Sequence, residues 1–310
     1  MNTLKITDKN QLLTERHNLE TAAIKKAEIQ SKTYNMYCPC NLNIVIDRKC
    51  NCHCDFCFCK DRTRQRRLTD EKYLSQLEKV LQNLSGLPIE VTITGGEPTL
   101  CGKRLIPVMK LVKKYGFPNR TFSTNGSGLF KQIDGKPLLQ SMKENGCIYN
   151  ISLSRMSTDD SENSRIFRGT PANNQDIRRI AAFTEINGMD FRLSCNLLGD
   201  SIDSWDKIKR YMAFYESYHI SSFLFREITP RRKYPAISEI VEEMLQEPHL
   251  RLLKTAHGMF YDVDIYSLGR KLIKHYKANP YNTQKGTDVC NKQNIITSLI
   301  YEEGELRTTW

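Results

Sequence analysis

Five of the eleven cysteines of the chain lie within ten consecutive positions, from Cys50 to Cys59. Such crowding does not fit an ordered disulfide framework, because each bridge needs a suitable separation and orientation of its two residues. Thiolates are strong ligands for zinc and for iron–sulfur clusters. The crowding therefore predicts a metal centre in a reducing compartment.

The segment Cys50-Asn-Cys-His-Cys54-Asp-Phe-Cys57 contains the spacing C-x3-C-x2-C, with an aromatic residue, Phe56, just before the last cysteine. Three thiolates on one short loop can ligate three irons of a cubane cluster. The fourth iron then stays open to a small molecule, as a catalytic metal keeps an open coordination position. A cluster with four cysteine ligands, of the kind used for electron transfer, lacks that open iron.

A structural zinc site is the alternative interpretation of the same cysteines. Zinc prefers four tetrahedral ligands, which Cys52, Cys54, Cys57 and Cys59 could supply as a zinc knuckle. Structural zinc sites commonly use paired C-x2-C units, and only one such pair is clear here. The cysteines alone leave both interpretations open.

A second motif, Thr94-Gly-Gly-Glu-Pro-Thr99, follows the next predicted strand. Gly95 and Gly96 allow the backbone to approach a ligand closely, while Glu97 and Pro98 stiffen the exit from the turn. A Gly-Gly pair alone usually marks a turn. Its position one strand after the cysteine loop makes the combination specific.

Alternating strands and helices position both motifs. The pattern predicts six strands, at Asn41 to Asp47, Glu90 to Thr94, Arg120 to Thr124, Tyr149 to Ser154, Phe191 to Leu197 and Ser222 to Ile228. Helices are predicted to open at Thr69, Gly102, Lys136, Asn174 and Ser204. This order indicates parallel strands joined by right-handed crossovers, with the loops after the strands gathered at one end of an α/β barrel.

Two further segments flank the predicted barrel, which spans 37–230. Residues 1–36 are predicted to form an N-terminal helical segment. Residues 231–310 are predicted to form a short α+β C-terminal extension that caps the barrel. It would contain helices at Ile237 to Leu253 and Ile265 to Tyr276, and a hairpin of Ile295 to Tyr301 with Leu306 to Thr309 around Glu302-Glu-Gly304.

The cysteine motif and the Gly-Gly-Glu-Pro motif together resemble the signature of the radical S-adenosylmethionine (SAM) superfamily, over about 41–230. The resemblance implies a partial (β/α)6 TIM-like barrel with one [4Fe-4S] cluster ligated by Cys50, Cys54 and Cys57. SAM would chelate the open iron through its amino and carboxylate groups.

The same resemblance implies further SAM contacts. Gly95, Gly96, Glu97 and the adjoining Pro98 would bind the methionine amino group, and the backbone near Phe56 would meet adenine. Polar groups for the ribose and the carboxylate would come from later strand ends, namely Ser123, Thr124, Ser154, Asn196 and Arg226. The alternative for these residues is strand-end capping or a surface ion pair.

The activity implied by the resemblance is reductive cleavage of SAM to a 5'-deoxyadenosyl radical, which takes a hydrogen atom from a peptide or from a nucleotide or sugar-type substrate. Candidates for a later hydrogen or proton transfer are Cys195, Cys290, Tyr149 and Tyr261. The end of the chain faintly resembles the cysteine-bearing hairpin of the molybdenum-cofactor GTP cyclase and of peptide-modifying relatives. Because the extension holds only Cys290, one cluster is expected; Cys38 and Cys40 with Cys290 are the alternative for another metal.

Charge and hydropathy bear on partners and location. The net charge of +11 is compatible with an anionic substrate or with an acidic flavodoxin or ferredoxin as electron donor. No apolar run approaches the roughly 20 residues of a membrane span, and the N-terminus does not resemble a secretory signal, so a cytoplasmic protein is expected. The cluster implied by the resemblance would make the enzyme oxygen-sensitive.

The rival function is a zinc-stabilised nucleic-acid-binding module without catalysis, motivated by Cys52 to Cys59 and by the basic run from Arg62 to Arg67. Such a module would need neither the Gly95-Gly-Glu-Pro98 motif nor six strand–helix units. The sequence therefore favours the enzyme and makes nucleic acid the less favoured partner.

Overall fold

The computed structural model is an open α/β sheet with helices between its parallel strands. It describes residues 24–29, 32–57, 59, 68–117, 119–146, 150–198, 201–227, 237–257, 261–278 and 295–308. The predictions for 1–23, for the basic run Arg62 to Arg67, and for Tyr149 and Cys290 lie outside the described residues.

The strands are β1 Ile24–Ile29, β2 Lys32–Val45, β3 Ile89–Thr94, β4 Arg120–Thr124, β5 Gln132–Ile133, β6 Lys136–Pro137, β7 Asn150–Ser154, β8 Phe191–Asn196, β9 Ser222–Arg226, β10 Leu250–His257, β11 Tyr261–Leu268, β12 Lys271–Ala278, β13 Ile295–Glu302 and β14 Glu305–Arg307. The helices are α1 Asp70–Leu84, α2 Gly102–Lys114, α3 Leu138–Glu144, α4 Asp160–Phe167, α5 Asn174–Ile186, α6 Trp205–Glu216 and α7 Ile237–Leu245, with a 3-10 turn at Pro98–Cys101.

The central sheet confirms the six predicted strands. Strands β2, β3, β4, β7, β8 and β9 lie side by side in chain order, and every neighbouring pair is parallel. β12 extends the sheet beside β9, and β13 extends it beside β2, both also parallel. In the described part of the chain the sheet runs from β10 to β14 without closing on itself, so the fold is a partial barrel.

The two faces of this sheet differ in chemistry. One face carries apolar side chains such as Ile93, Phe122, Ile151 and Leu193, which are buried in a core shared with the helices. The opposite face, which we call the concave face, carries polar side chains at nearly every position. For example, Asn43, Thr92, Thr121 and Asn150 lie in one row across β2, β3, β4 and β7.

Local capping explains where several helices begin. The side chains of Thr69, Asp159, Asn173 and Ser204 each accept a hydrogen bond from a backbone N–H in the first turn of α1, α4, α5 and α6. Four of the five predicted starts are confirmed to within one residue. The start predicted at Lys136 is two residues early, because Lys136–Pro137 pairs with Gln132–Ile133 in a small hairpin before α3.

Residues 24–36 were predicted to be helical, and this is wrong. β1 and the first part of β2 form an antiparallel hairpin in which Ile29 pairs with Lys32. β2 also pairs with β13 along this stretch, so tertiary strand pairing outweighs a pattern that fits helical spacing only roughly.

The C-terminal extension contains more strand than its sequence pattern indicates. The helix predicted at Ile237 to Leu253 ends at Leu245, and β10 begins at Leu250. The helix predicted at Ile265 to Tyr276 is wrong, because β11 and β12 form an antiparallel hairpin there. Gly269, with a φ of +58°, lies in the turn that reverses the chain.

The predicted final hairpin is confirmed. β13 and β14 are antiparallel, and Glu302 pairs with Glu305 across the turn at Glu303 and Gly304. β13 also pairs with β2, placing Tyr301 beside Ile44. The turn of this hairpin therefore lies next to the point where the cysteine loop leaves β2.

Two glutamates of this hairpin hold both ends of the cysteine loop, which we define as residues 46–69. The Glu302 carboxylate accepts a hydrogen bond of 2.8 Å from Arg48 Nη2 and also contacts Arg307. The Glu303 carboxylate accepts 3.0 Å from the Leu68 backbone N–H and 2.8 Å from Arg104 Nη1. We call this pair of contacts the glutamate clasp.

Arg104 connects the clasp to the rest of the sheet. Its side chain is fully buried and also donates to the backbone carbonyls of Ile46 and Leu68, both at 3.1 Å, and to the Asp70 carboxylate at 2.6 Å. A buried cation with this many partners is stable only while its anions remain in place.

None of the helices in the described ranges is long and apolar enough to cross a membrane.

Replacing Glu303 with Gln should destabilise the fold, because buried Arg104 loses the charge of a carboxylate that it contacts at 2.8 Å. We expect a loss of about 2–3 kcal/mol in the free energy of unfolding, measured by urea denaturation. Glu28→Gln on the exposed side of β1 is the charge-matched control and should cost less than about 0.5 kcal/mol. Equal effects of the two substitutions would show that the clasp contributes nothing.

Candidate functional site

The cysteine loop leaves β2 at the end where the parallel strands finish. Its first residue, Ile46, still donates a backbone hydrogen bond of 3.0 Å to Thr94 at the end of β3. All three cysteines of the C-x3-C-x2-C motif follow within twelve residues of the strand end, Val45. The loop therefore lies at the edge where α/β barrels place their functional groups.

The cysteine loop packs backbone to backbone on the Gly95-Gly96 turn. Gly96 N donates to Asp47 O at 2.7 Å, and Glu97 N donates to Lys49 O at 2.8 Å. A Cβ on Gly95 would stand 2.3 Å from Asp47 O, and one on Gly96 would stand 2.2 Å from Lys49 O. Gly95 also has a φ of +146°, so both positions exclude other residues.

This contact shows which part of the protein lies against the α-carbons of Gly95 and Gly96. The sequence predicts that the pair admits a ligand, whereas the space beside both α-carbons is filled by the cysteine loop itself. The glycines thus set the position of the loop relative to β3.

Cys50, Cys54 and Cys57 are half-buried residues of this loop, and none of them forms a disulfide. The Cys50 sulfur accepts a hydrogen bond of 3.4 Å from the Cys52 backbone N–H. The Cys54 thiol donates to Phe167 O and the Cys57 thiol donates to Cys59 O, each at 3.6 Å. These are weak contacts for a thiol, which ligation would replace.

Cys52 and Cys59 differ from the other three because both are buried. Asn125 Nδ2 contacts the Cys52 sulfur at 3.3 Å, and the α-carbon of Gly169 is packed so closely that a Cβ there would stand 2.7 Å from Cys52 Cα. The hydrogen bond with Cys50, together with burial, raises the pKa of the Cys52 thiol. Cys52 is therefore part of the core rather than of the half-buried set.

The donor set suits a cluster better than it suits a single ion. Among the described side chains, no three His, Cys, Asp or Glu residues converge closely enough to hold one metal ion. In a cubane each thiolate ligates a different iron, so its ligands need not meet at one point. Three half-buried cysteines on one loop fit that requirement.

Glu97 is a buried carboxylate surrounded by internal donors. Its Oε1 accepts from Thr99 N at 3.1 Å and from the hydroxyls of Thr99 and Thr124, both at 2.6 Å. Its Oε2 accepts from Asn125 N at 2.6 Å. Burial raises the pKa of Glu97, and these hydrogen bonds oppose that shift. The carboxylate thus joins the ends of β3 and β4.

Asn125 completes this junction, and the sequence analysis did not select it. Its Nδ2 donates to Asn51 Oδ1 at 2.8 Å, and its Oδ1 accepts from Ser127 N at 3.0 Å. Asn51 in turn donates to the Thr170 carbonyl at 2.7 Å. The end of β4 therefore fixes the middle of the cysteine loop, and an Asn directly after a predicted strand was the available signal.

The two predicted SAM contacts on β4 point to opposite faces. Ser123 pairs with Ser152 on the concave face and is half-buried. Thr124 pairs with Leu153 on the helix-covered face, where its hydroxyl contacts Glu97 and accepts from Gly126 N at 2.8 Å. Ser123 alone of the two has a side chain on the concave face.

The remaining predicted contacts lie on the concave face near the strand ends. Asn196 pairs with Arg226 in the last row of β8 and β9, and Ser154 pairs with Ser194 one row lower. The Arg226 guanidinium lies 5.1 Å from the ring centre of Tyr276 on β12. The structure therefore brings Ser154, Asn196 and Arg226 to one region.

α4, which the sequence analysis missed, supports the cysteine loop from the other side. His53 N donates to Phe167 O at 2.8 Å, and the rings of Phe56 and Phe167 meet edge to face with centres 6.0 Å apart. Pro98, the last predicted site residue in this region, is buried at the start of the 3-10 turn. α4 is short and polar, so its sequence pattern is weak.

Arg155 is a second residue that sequence reasoning missed. Its guanidinium is 1% exposed and donates to Tyr215 Oη at 2.6 Å, to Ala172 O at 3.0 Å and to Asp160 at 2.7 Å. These contacts connect the segment that follows β7 to Asp160, Ala172 and Tyr215.

The candidates for a later hydrogen transfer are less well placed. Cys195 is fully buried on the helix-covered face beside Phe225, and burial raises the pKa of its thiol. Tyr261 begins β11, and its side chain lies outside the described part, as do those of Cys38, Tyr149 and Cys290. Cys40 is buried in β2.

Comparison with known proteins identifies the family. The model of the Radical SAM superfamily matches residues 44–212, which is more than half of the 310 residues. This superfamily uses a [4Fe-4S] cluster and SAM. No curated protein sequence matches the chain.

Solved structures share the fold at low sequence identity. SuiB of Streptococcus suis bound to S-adenosylmethionine has 16% identity and a TM-score of 0.51, covering 78% of this chain and 54% of that one. SuiB bound to its precursor peptide SuiA has 19% identity and a TM-score of 0.49, covering 61% and 39%. Coproporphyrinogen III oxidase (HemN) of Escherichia coli has 15% identity and a TM-score of 0.46, covering 67% and 51%.

The chain spans 39% to 54% of the length of the SuiB chains that it matches, so the likeness concerns the shared fold. The family model begins at the end of β2, includes the cysteine loop and the glycine turn, and ends within α6. With the cysteine loop packed on the glycine turn at the edge of six parallel strands, this match establishes that the chain belongs to the radical SAM superfamily.

Proposed function

We propose that the chain is a radical SAM enzyme in which Cys50, Cys54 and Cys57 ligate one [4Fe-4S] cluster. The observation that carries this proposal is the backbone contact between the cysteine loop and Gly95-Gly96. That contact holds the loop of the three cysteines beside the ends of the parallel strands, next to a concave polar face. The cluster, when reduced, supplies the electron that cleaves SAM to methionine and a 5'-deoxyadenosyl radical.

The residues of the chain would bind and orient SAM across the strand ends. The backbone carbonyl groups of Gly95 and Gly96 would accept hydrogen bonds from the methionine amino group, and the Arg226 guanidinium suits a carboxylate. Ser123, Ser154 and Asn196 offer neutral hydrogen-bonding groups to the ribose, and the backbone near Phe56 would meet adenine. Because the Glu97 carboxylate already has four internal donors, its contribution is to hold the turn.

The substrate class that we propose is a peptide or a nucleotide or sugar-type molecule, from which hydrogen is abstracted. The concave face is lined with hydroxyl, amide and basic groups, which suits a polar substrate better than an apolar one. The solved structure of SuiB with its precursor peptide shows that a protein related in fold binds a peptide.

SAM cleavage is the direct test of the proposed activity. Full-length protein purified without oxygen should contain iron and sulfide, and should form 5'-deoxyadenosine from SAM and a strong reductant, measured by liquid chromatography. Cys54→Ala should lose both the iron and the product, because one ligand of the cluster is gone.

Cys52→Ser is the matched control for that experiment. It removes a thiol of the same loop that belongs to the alternative zinc set but not to the cluster set, and it keeps a side-chain acceptor for Asn125. We expect iron and SAM cleavage to be retained. Colourless protein with stoichiometric zinc, lost equally in both variants, would favour the zinc-stabilised module instead.

The two β4 residues should differ in their effects on SAM binding and on stability. Ser123→Ala on the concave face should weaken SAM binding about 3- to 10-fold by calorimetric titration, with little change in stability. Thr124→Val removes a donor from buried Glu97 and should lower the free energy of unfolding by about 1.5–3 kcal/mol.

Thr184→Val is the control for the Thr124 substitution, because its buried hydroxyl contacts only the carbonyls of its own helix at Ile180 and Ala181. It should cost less than about 1 kcal/mol. A loss of stability with Ser123→Ala as large as that with Thr124→Val would show that the assignment of the two faces is wrong.

A flavodoxin or ferredoxin is the proposed electron donor, since both are acidic and the chain carries a net charge of +11. Attraction between opposite charges raises association rates at low salt. The rate of 5'-deoxyadenosine formation at limiting flavodoxin should therefore fall several-fold between 20 mM and 300 mM added salt, while the rate with dithionite changes little. A rate with flavodoxin that is unaffected by salt would contradict charge-assisted docking.

A further inference from the structure

Three basic side chains descend one side of the concave face. Arg226 lies in the last row of β9, opposite Asn196 and Tyr276. Lys274 lies one row lower, in the row of Leu224 and Ser194. Arg192 lies one row lower again, beside Ser152. Two residues along a strand span about 7 Å, so the row of Arg192 is about 14 Å below the strand ends.

Arg192 and Lys274 are half-buried, and neither contacts a counterion among the described residues. Arg192 donates to the Ser152 hydroxyl at 3.1 Å, and no described acidic side chain lies within 4.0 Å of either cation. The acidic groups that act on both of them from farther away, Glu90 and Asp190, are exposed, so solvent screens them.

The two cations also repel each other. Burial, and then the charge of Arg192, lowers the pKa of Lys274, and burial likewise lowers the pKa of Arg192. Lys274 on β12 and Arg192 on β8 are separated by β9, and two like charges that are partly buried on one face favour an anion between them. Unfavourable electrostatics of this kind at a concave surface are typical of a binding site.

We propose that Arg192 and Lys274, with the hydroxyls of Ser152 and Ser194, bind an oxyanion of the substrate. The planar fork of Arg192 suits two oxygens of one phosphate or carboxylate, and Lys274 adds a second positive charge. The anion would lie one to two rows below Asn196 and Arg226. The rest of the substrate would then extend towards the strand ends.

The identification of this ligand as the substrate rests on the proposed function. The binding of an oxyanion by these residues has its own test. Inorganic phosphate and glutarate serve as probes, titrated calorimetrically into full-length protein purified without oxygen, in the absence of SAM. Arg192→Gln and Lys274→Met should each weaken binding of the preferred probe about tenfold or more. Arg192→Lys, which keeps the charge, should restore part of the affinity.

Lys110→Met is the matched control, because Lys110 is an exposed lysine of α2 with the same charge. It should bind both probes as the wild type does. Preference for phosphate would point to a phosphorylated substrate, and preference for glutarate to a carboxylate such as an acidic peptide residue. Equal weakening in all variants, or binding of neither probe, would overturn the proposal.

A measurement of folding guards against a trivial loss of binding. Because Lys274 is repelled by Arg192, Lys274→Met should leave the Tm unchanged or raise it in phosphate-free buffer, and phosphate should raise the Tm of the wild type but not of the variant. A lower Tm of the variant without phosphate would show that Lys274 is structurally paired, which would overturn the proposal. Neither readout uses SAM. A failure of the proposed oxyanion site is therefore distinguishable from a failure of SAM cleavage.

Discussion

Two backbone hydrogen bonds join the cysteine loop to the turn after β3, from Gly96 N to Asp47 O and from Glu97 N to Lys49 O. They require the loop to lie so close to the turn that side chains at positions 95 and 96 would collide with it. The spacing of the thiols along the chain becomes an arrangement in space only through this contact. Every functional statement about the three cysteines depends on it.

The surrounding structure holds that contact from three sides. Glu97 and Asn125 fix the end of β4 to the turn and to the loop, α4 packs its Phe167 against Phe56, and the glutamate clasp of the C-terminal hairpin ties both loop ends. Because the clasp comes from residues more than 200 positions away in sequence, the C-terminal extension supports the loop directly. Rigid support of this kind is what a site needs when its ligands come from a loop.

The division of the sheet into an apolar face and a polar face determines what each strand-end residue can do. Alternation along β4 directs Ser123 and Thr124 to opposite faces, so two adjacent polar residues have different roles. Along β8 the same alternation places Arg192, Ser194 and Asn196 together on the concave face, while Cys195 is directed into the core. Substrate and cofactor would therefore meet a surface of neutral donors with basic groups on one side.

Much of the central sheet could be predicted because its strands are short, apolar on one face and bounded by clear helix caps, as at Thr69 and Ser204. The motif residues could be placed at strand ends for the same reason. The hairpin of β11 and β12 could not, since Ile265, Ile273 and their neighbours fit helical and strand spacing alike, and only the turn at Gly269 separates the two strands.

Contacts between distant segments were also beyond the sequence pattern. Three sets of interactions depend on which loops meet after folding. They are the hydrogen bonds of the Glu97 carboxylate, those of the Asn125 side chain and the glutamate clasp. Likewise, Arg192 on β8 and Lys274 on β12 come to adjacent rows only because both strands pair in parallel with β9. A polar residue at a strand end suggests a hydrogen-bonding role, but its position in the sequence does not identify its partner.

The central claim is that three thiols of one loop hold a cluster whose remaining iron is open to SAM. Electron paramagnetic resonance of the anaerobically reconstituted, dithionite-reduced protein, recorded before and after addition of SAM, tests it most directly. We expect the signal of a reduced [4Fe-4S] cluster whose g-values change when SAM binds to the iron. A cluster signal that SAM leaves unchanged, or a protein that takes up zinc and gives no such signal, would contradict the account.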